Sequence, residues 1–141
     1  MNNLGKRKSI RKYSGKAVSE ALLTSLLQQA ERTPTMGNLQ LYSVVVTRDD
    51  AMKRQLAPAH FSQPMVTGAP VVLTFCADFR RTSLWAKNRN AVPGYDNLLS
   101  FINAATDTLL YCQTFCNLSE EAGQGTYYLS TTAYQTMAII K

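Results

Sequence analysis

The sequence predicts an α+β fold. Three observations carry that reading: apolar residues at helical spacing between residues 19 and 33, two short β-branched runs near residues 42–46 and 69–78, and a long segment from about Asn97 to Glu121 that is apolar on more than one side. With 141 residues, 45% of them hydrophobic, the chain has the size of one domain over residues 1–141 and enough apolar mass for a core.

Taken in order, Leu22, Leu23, Leu26, Leu27 and Ala30 follow Ser19, a good helix N-cap, and the pattern stops at Pro34, so a helix of three to four turns is expected. Residues 33–40, TPTMGNLQ, hold Pro34, Gly37 and Asn38 and read as a loop. Tyr42 to Val46 reads as a strand, bounded by that loop and by Asp49-Asp50, and residues 50–57 as a short helix. Ala69 to Asp78 is apolar on both faces, which predicts a strand central in its sheet. Residues 80–96 have no apolar period and contain Pro93-Gly94; they read as a loop.

The segment from Asn97 to Glu121 is different. Leu98, Leu99, Phe101, Ile102, Leu109, Leu110, Phe115 and Leu118 cover more of the helix surface than one small domain can bury, so one face is expected to meet another chain. Gly123 and Gly125 end the helix, residues 126–130 suggest a short strand, and Met137, Ile139 and Ile140 read as part of a helix whose packing partner is not in the sequence.

Charge is unevenly placed. The net charge is +6, and Lys6, Arg7, Lys8, Arg11, Lys12 and Lys16 supply six positive charges before the first acid, Glu20. From residue 17 onward nine basic side chains face nine acidic ones. A protein that tracks nucleic acid spreads Lys and Arg along a face, whereas a focused cluster suits one small anion. In an extended segment Arg7, Ser9 and Arg11 share a side and can clamp a phosphate; a solvated basic tail and a small nucleic-acid-binding module using residues 6–16 are the alternatives.

The loop with Met36, Gly37, Asn38 and Gln40 can read the imide edge of a flat heterocycle, or simply connect a helix to a strand. Cys112 and Cys116 lie one helical turn apart, but with His60 the only histidine they read as core thiols rather than metal ligands, and three cysteines in apolar surroundings indicate a reducing compartment. Trp85, Arg80, Arg81, Lys87 and Arg89 either gate a pocket or decorate a solvated loop. The sequence shows no nucleophile elbow, P-loop or dinucleotide fingerprint, no signal peptide and no membrane span; a cytoplasmic protein is expected.

Three stretches in succession are similar to the nitroreductase family of flavoenzymes: residues 7–46, beginning R-K-S-I-R-K-Y; residues 67–78, TGAPVVLTFCAD; and residues 103–132, ending G-Q-G-T-Y-Y-L-S-T-T. The resemblance implies an α-β-α sandwich with a mixed, mainly antiparallel sheet flanked by helices, assembled as a homodimer with FMN at the subunit interface. It implies oxidation of NADH or NADPH and reduction of a nitroaromatic, quinone or similar planar acceptor, with the chemistry on the flavin and no catalytic side chain. Arg7, Lys8, Ser9 and Arg11 match the grip on the FMN phosphate and ribityl chain. Thr35, Met36, Asn38 and Gln40 match the loop that reaches the partner's flavin, Gln63 a contact to the pyrimidine end, and Thr131 and Thr132 the segment that presents backbone N–H groups near N5. Leu41-Tyr42 stands where the family has Pro-Trp. A further helix, strand and tail of the family have no counterpart in the sequence, which leaves a flavin-binding protein without turnover as the rival expectation.

Overall fold

The computed structural model describes residues 4–92, 94 and 97–134. Its elements are α1 (Glu20–Ala30), β1 (Tyr42–Thr47), α2 (Asp50–Leu56), α3 (Pro64–Gly68), β2 (Val72–Ala77), α4 (Phe79–Lys87) and α5 (Leu98–Glu121), with 3₁₀ turns at Leu4–Lys6, Met36–Asn38, Ala57–His60 and Ser130–Ala133. The fold class is α+β, as expected. The contacts divide into two compact units: one from the stretch up to Thr24, Val46–Leu73 and the stretch from Ser119, the other from Ser25–Val45 and Thr74–Leu118.

α1 begins where the sequence says it should. The Ser19 hydroxyl accepts the Leu22 N–H at 3.2 Å, and Leu23, Leu26 and Ala30 form its buried stripe. Full burial of each leucine contributes about 1.5–3 kcal/mol. The Thr33 hydroxyl donates to the Ala30 carbonyl at 2.7 Å and closes the last turn before Pro34.

In the first unit, Asp49 caps α2 by accepting the Met52 N–H at 2.8 Å. Lys53 is only 4% exposed, yet its ammonium is satisfied: Nζ donates to the Ala69 carbonyl at 2.9 Å and lies 2.7 Å from Asp50 Oδ1. The hydrogen bond that Lys53 donates to Asp50, and the Lys53 charge, hold the Asp50 carboxyl below its ordinary range. Ala57, Ala59, Val66, Ala69 and Val72 form a core of small side chains around this strut.

In the second unit the core is aromatic. Tyr42 stacks on Tyr111 with ring centroids 4.1 Å apart, and Phe75 lies 5.9 Å from Tyr111 and 5.7 Å from Phe115. The Tyr111 hydroxyl donates to the Leu27 carbonyl at 3.1 Å, and burial pushes its pKa up to about 12. Along α5, Ala104, Asp107, Thr108, Tyr111, Cys112, Phe115, Cys116 and Ser119 are buried at helical spacing. Leu98, Leu99, Phe101, Ile102, Leu109 and Leu110 are exposed, from 47% to 71%.

β1 and β2 form a two-stranded sheet. The Asp78 N–H donates to the Leu41 carbonyl at 2.9 Å, where β1 begins and β2 ends, so the strands run antiparallel. Three expectations need correction. Among the described residues β2 pairs with β1 alone and so stands at an edge of the sheet rather than at its centre, and Val72 is its one fully buried residue. Residues 80–87, expected as part of a loop, belong to α4: Asp78 accepts the Arg81 N–H at 3.1 Å as N-cap, and Ala86 is the one fully buried residue of the helix. Residues 126–129 form no strand; the Ile10 N–H bonds the Thr126 carbonyl at 2.9 Å, and a 3₁₀ turn follows. The helix expected around Met137 to Ile140 lies outside the described residues. Among the described residues no helix is long and apolar enough to cross a membrane.

Candidate functional site

The first unit presents the basic segment. The bond from Ile10 N–H to Thr126 lays residues 7–11 along residues 125–128. Gly125 is required at the crossing, since a Cβ there would lie 2.8 Å from Ile10 Cγ1 and 2.9 Å from Ile10 Cβ. Arg7 is turned inward: its Nε lies 3.4 Å from Glu120 Oε1, an ion pair without hydrogen-bond geometry, and its guanidinium sits 5.8 Å from the Tyr128 ring centroid. Glu120 also accepts the Thr126 hydroxyl at 2.7 Å. Arg11 lies over the Tyr127 ring at 4.9 Å. Lys8, Ser9 and Arg11 are exposed, and among the described residues none forms an ion pair with Lys8 or Arg11.

The same unit holds His60 and Thr131. His60 is 4% exposed, and its Nδ1 lies 2.6 Å from Thr131 Oγ1 in the terminal 3₁₀ turn. Burial lowers the imidazole pKa, so the neutral ring is favoured. Directly after His60, Phe61 (φ 54°) and Ser62 (φ 53°) are both left-handed, a conformation that disfavours side chains. Gln63 follows as the half-exposed N-cap of α3, its N–H donating to the His60 carbonyl at 3.2 Å. The Thr132 side chain lies outside what the structure describes.

The second unit presents the loop of residues 35–40. Its two ends hang from one carboxylate: Asp107, 1% exposed, accepts the Met36 N–H at 2.9 Å on Oδ1 and the Leu41 N–H at 3.3 Å on Oδ2. Each such charge-assisted bond contributes about 1.5–3 kcal/mol. The Gln40 N–H reaches Thr35 Oγ1 at 3.4 Å, and Arg81 Nη2 donates to the Gln40 carbonyl. Gly37, Asn38 and Gln40 all have φ between 51° and 57°, so the loop is bent back on itself, with Met36 and Asn38 exposed and Thr35 and Gln40 half-buried. A groove of about 300 Å³ beside Tyr42, Tyr111 and Glu31 is lined by Arg81, one of the residues expected to gate a pocket, and by none of the residues expected to contact the flavin.

The structure thus joins Arg7, Lys8, Ser9, Arg11, Gln63 and Thr131 in one unit and Thr35, Met36, Asn38 and Gln40 in the other. Two residues escaped sequence reasoning. Asp107 is the one acid on the buried stripe of α5, and His60 is the single histidine, set among small apolar residues; a charged or polar residue at a core position was the available signal.

The model of the nitroreductase family matches residues 4–140. The chain belongs to the nitroreductase family. Its fold has near copies among solved structures. An oxidoreductase from Bacteroides fragilis is 59% identical, with a TM-score of 0.96 over 99% of this chain and 57% of its own. B. megaterium NfrA2 is 28% identical, with a TM-score of 0.91 over 96% of this chain and 56% of its own. The Bacillus subtilis (strain 168) FMN reductase named for NAD(P)H is 27% identical over 128 residues, covering 89% of this chain and 51% of that protein. The chain spans about half the length of most of the curated relatives it matches, and 36% of one from Thermus thermophilus.

Proposed function

We propose that this chain carries the FMN site of an NAD(P)H-dependent oxidoreductase acting on nitroaromatics, quinones or similar planar acceptors. Family membership and relatives named as FMN reductases support the class of activity. The observation that carries the cofactor is the pinned N-terminal segment: a main-chain bond to Thr126 holds residues 7–11 while Lys8, Ser9 and Arg11 stay exposed and, among the described residues, Lys8 and Arg11 form no ion pair. Two cations and a hydroxyl within four residues fit a phosphate dianion.

In this reading Lys8, Ser9 and Arg11 hold the phosphate, and Arg7 fixes the segment through Glu120 and Tyr128. Thr131 and Thr132 offer main-chain N–H groups to the ring, and Gln63 contacts its pyrimidine end. Thr35, Met36, Asn38 and Gln40 reach the flavin of a second subunit, with the exposed apolar face of α5 packing against that subunit. Bound FMN would supply the two-electron redox chemistry that no side chain here offers. The protein's part is to orient donor and acceptor in turn at one open face, which gives ping-pong kinetics.

Purified protein is expected to show a flavin absorbance band that bleaches with NADH or NADPH under anaerobic conditions. Bound flavin that never bleaches would remove turnover and keep binding. Colourless protein that ignores added FMN, yet binds DNA or RNA through residues 6–16, would replace the reading altogether.

A further inference from the structure

We infer that His60 is a positioning residue for the flavin ring, fixing two of the segments that would contact it. The inference rests on the FMN reading above, because Gln63 and Thr131 are ring contacts only if FMN binds there.

The geometry is local and two-sided. On one side the imidazole Nδ1 is 2.6 Å from the Thr131 hydroxyl, which holds the 3₁₀ turn Ser130–Ala133 against the turn Ala57–His60. On the other side the His60 carbonyl accepts the Gln63 N–H at 3.2 Å across the left-handed pair Phe61 and Ser62. Two consecutive left-handed residues persist only where neighbours over-determine them. The Ser62 N–H to the Ala57 carbonyl, at 2.8 Å, and the Phe61 N–H to the Pro58 carbonyl, at 3.1 Å, help to do so. His60 is the one residue of the turn whose side chain crosses to the Thr131 segment by a hydrogen bond among the described residues. A buried ring 4% exposed has few rotamers, so it sets the spacing between the Gln63 turn and the Thr131 turn. Nothing places His60 itself against FMN; it acts through its neighbours.

The test uses purified chain and two probes, FMN and riboflavin, which differ in the phosphate. Dissociation constants come from fluorescence titration, and thermal melting of the apoprotein is followed in parallel. His60→Ala is expected to weaken FMN and riboflavin equally, by about fivefold to tenfold, the value of one hydrogen bond to a preorganised site. Thr131→Val should do the same, and the double variant should be no weaker than either single one. His60→Asn, which keeps a polar group near the Nδ1 position, and Thr131→Ser should recover most of the loss. Unchanged flavin affinity in His60→Ala, with or without a lower melting temperature, would overturn the inference, as would losses that add in the double variant. If His60→Ala fails to fold, the pair Thr131→Val and Thr131→Ser decides alone: equal affinities in the two refute the role. Wild-type protein that binds neither flavin would overturn the FMN reading as well. Wild-type binding that responds to Arg11→Ala but not to His60 or Thr131 would refute only the positioning role.

Discussion

The basic segment and the loop of residues 35–40 are both assigned to flavin, yet they are held by opposite means. Residues 7–11 lie on the surface of their unit, fastened by a main-chain bond from Ile10 to Thr126, a flush glycine, an ion pair at Arg7 and the rings of Tyr127 and Tyr128. The loop is hung from a single buried carboxylate, Asp107, which ties both of its ends to α5. The first arrangement leaves Lys8, Ser9 and Arg11 exposed and its anchors distributed. The second concentrates both ends of the loop on one residue, with Arg81 holding the Gln40 carbonyl beside it, and gives the loop three left-handed positions, a shape the isolated chain would not choose. A distributed anchor should tolerate single losses, and a concentrated one should not.

The largest effect is therefore expected at Asp107. Asp107→Ala strands the Met36 and Leu41 N–H groups and should destabilise the protein by about 3 kcal/mol in urea unfolding, from about 1–3 kcal/mol for each unsatisfied donor. Asp107→Asn keeps one acceptor and should lose less than half of that. A loss below about 1 kcal/mol in the alanine variant would erase the contrast between the two regions.

Next comes Gly125→Ala, which drives a methyl group into Ile10 and should destabilise by about 1–3 kcal/mol while weakening FMN retention. Ile10→Ala added to it should recover part of the stability, a suppression that equilibrium unfolding would read directly. Without suppression, the crossing of residues 10 and 125 is not what fixes the segment.

Arg7 and Arg11 separate anchor from ligand contact. Arg11→Ala should weaken FMN by about tenfold to a hundredfold, with little change in the unfolding midpoint, because one charge-assisted contact is worth about 1.5–3 kcal/mol. Arg7→Ala should do the reverse, lowering the midpoint and affecting FMN less. Equilibrium dialysis beside thermal melting checks both.

The smallest effect is in pH. His60 has a folded pKa below its ordinary 6.5, so above 6.5 both states are neutral and the stability is fully present. As pH falls below 6.5 the unfolded chain takes a proton that the folded ring resists, and stability declines until the folded pKa is passed. A stability profile from pH 8 to 5 should show this decline, and His60→Asn should remove that component.

Much of the scaffold was legible because its signals are local. Ser19, the leucine period and Pro34 define α1 without reference to anything distant, and the all-round apolarity of residues 97–121 announced both a long helix and an uncovered face. α4 was illegible for the complementary reason: it is short, largely polar and buries one residue fully, Ala86, and its cap, Asp78, is also what a turn would use. Residues 126–129 carry strand-like side chains, but among the described residues they belong to no strand and lead into a 3₁₀ turn; the Ile10 N–H bonds the Thr126 carbonyl. In the candidate site, the motif residues could be placed by succession along the chain. Asp107 and His60 could not, because their meaning lies in the hydrogen bonds to Met36, Leu41 and Thr131, from 66 to 71 residues away.

The FMN phosphate assignment is tested most directly by the ratio of dissociation constants for riboflavin and FMN in wild type and in Arg11→Ala. Phosphate capture by Lys8, Ser9 and Arg11 predicts that wild type favours FMN by at least about a hundredfold at low salt, and that Arg11→Ala shrinks this preference at least about tenfold by weakening FMN alone. Equal affinity of wild type for the two flavins, or a preference untouched by the loss of Arg11, would contradict it.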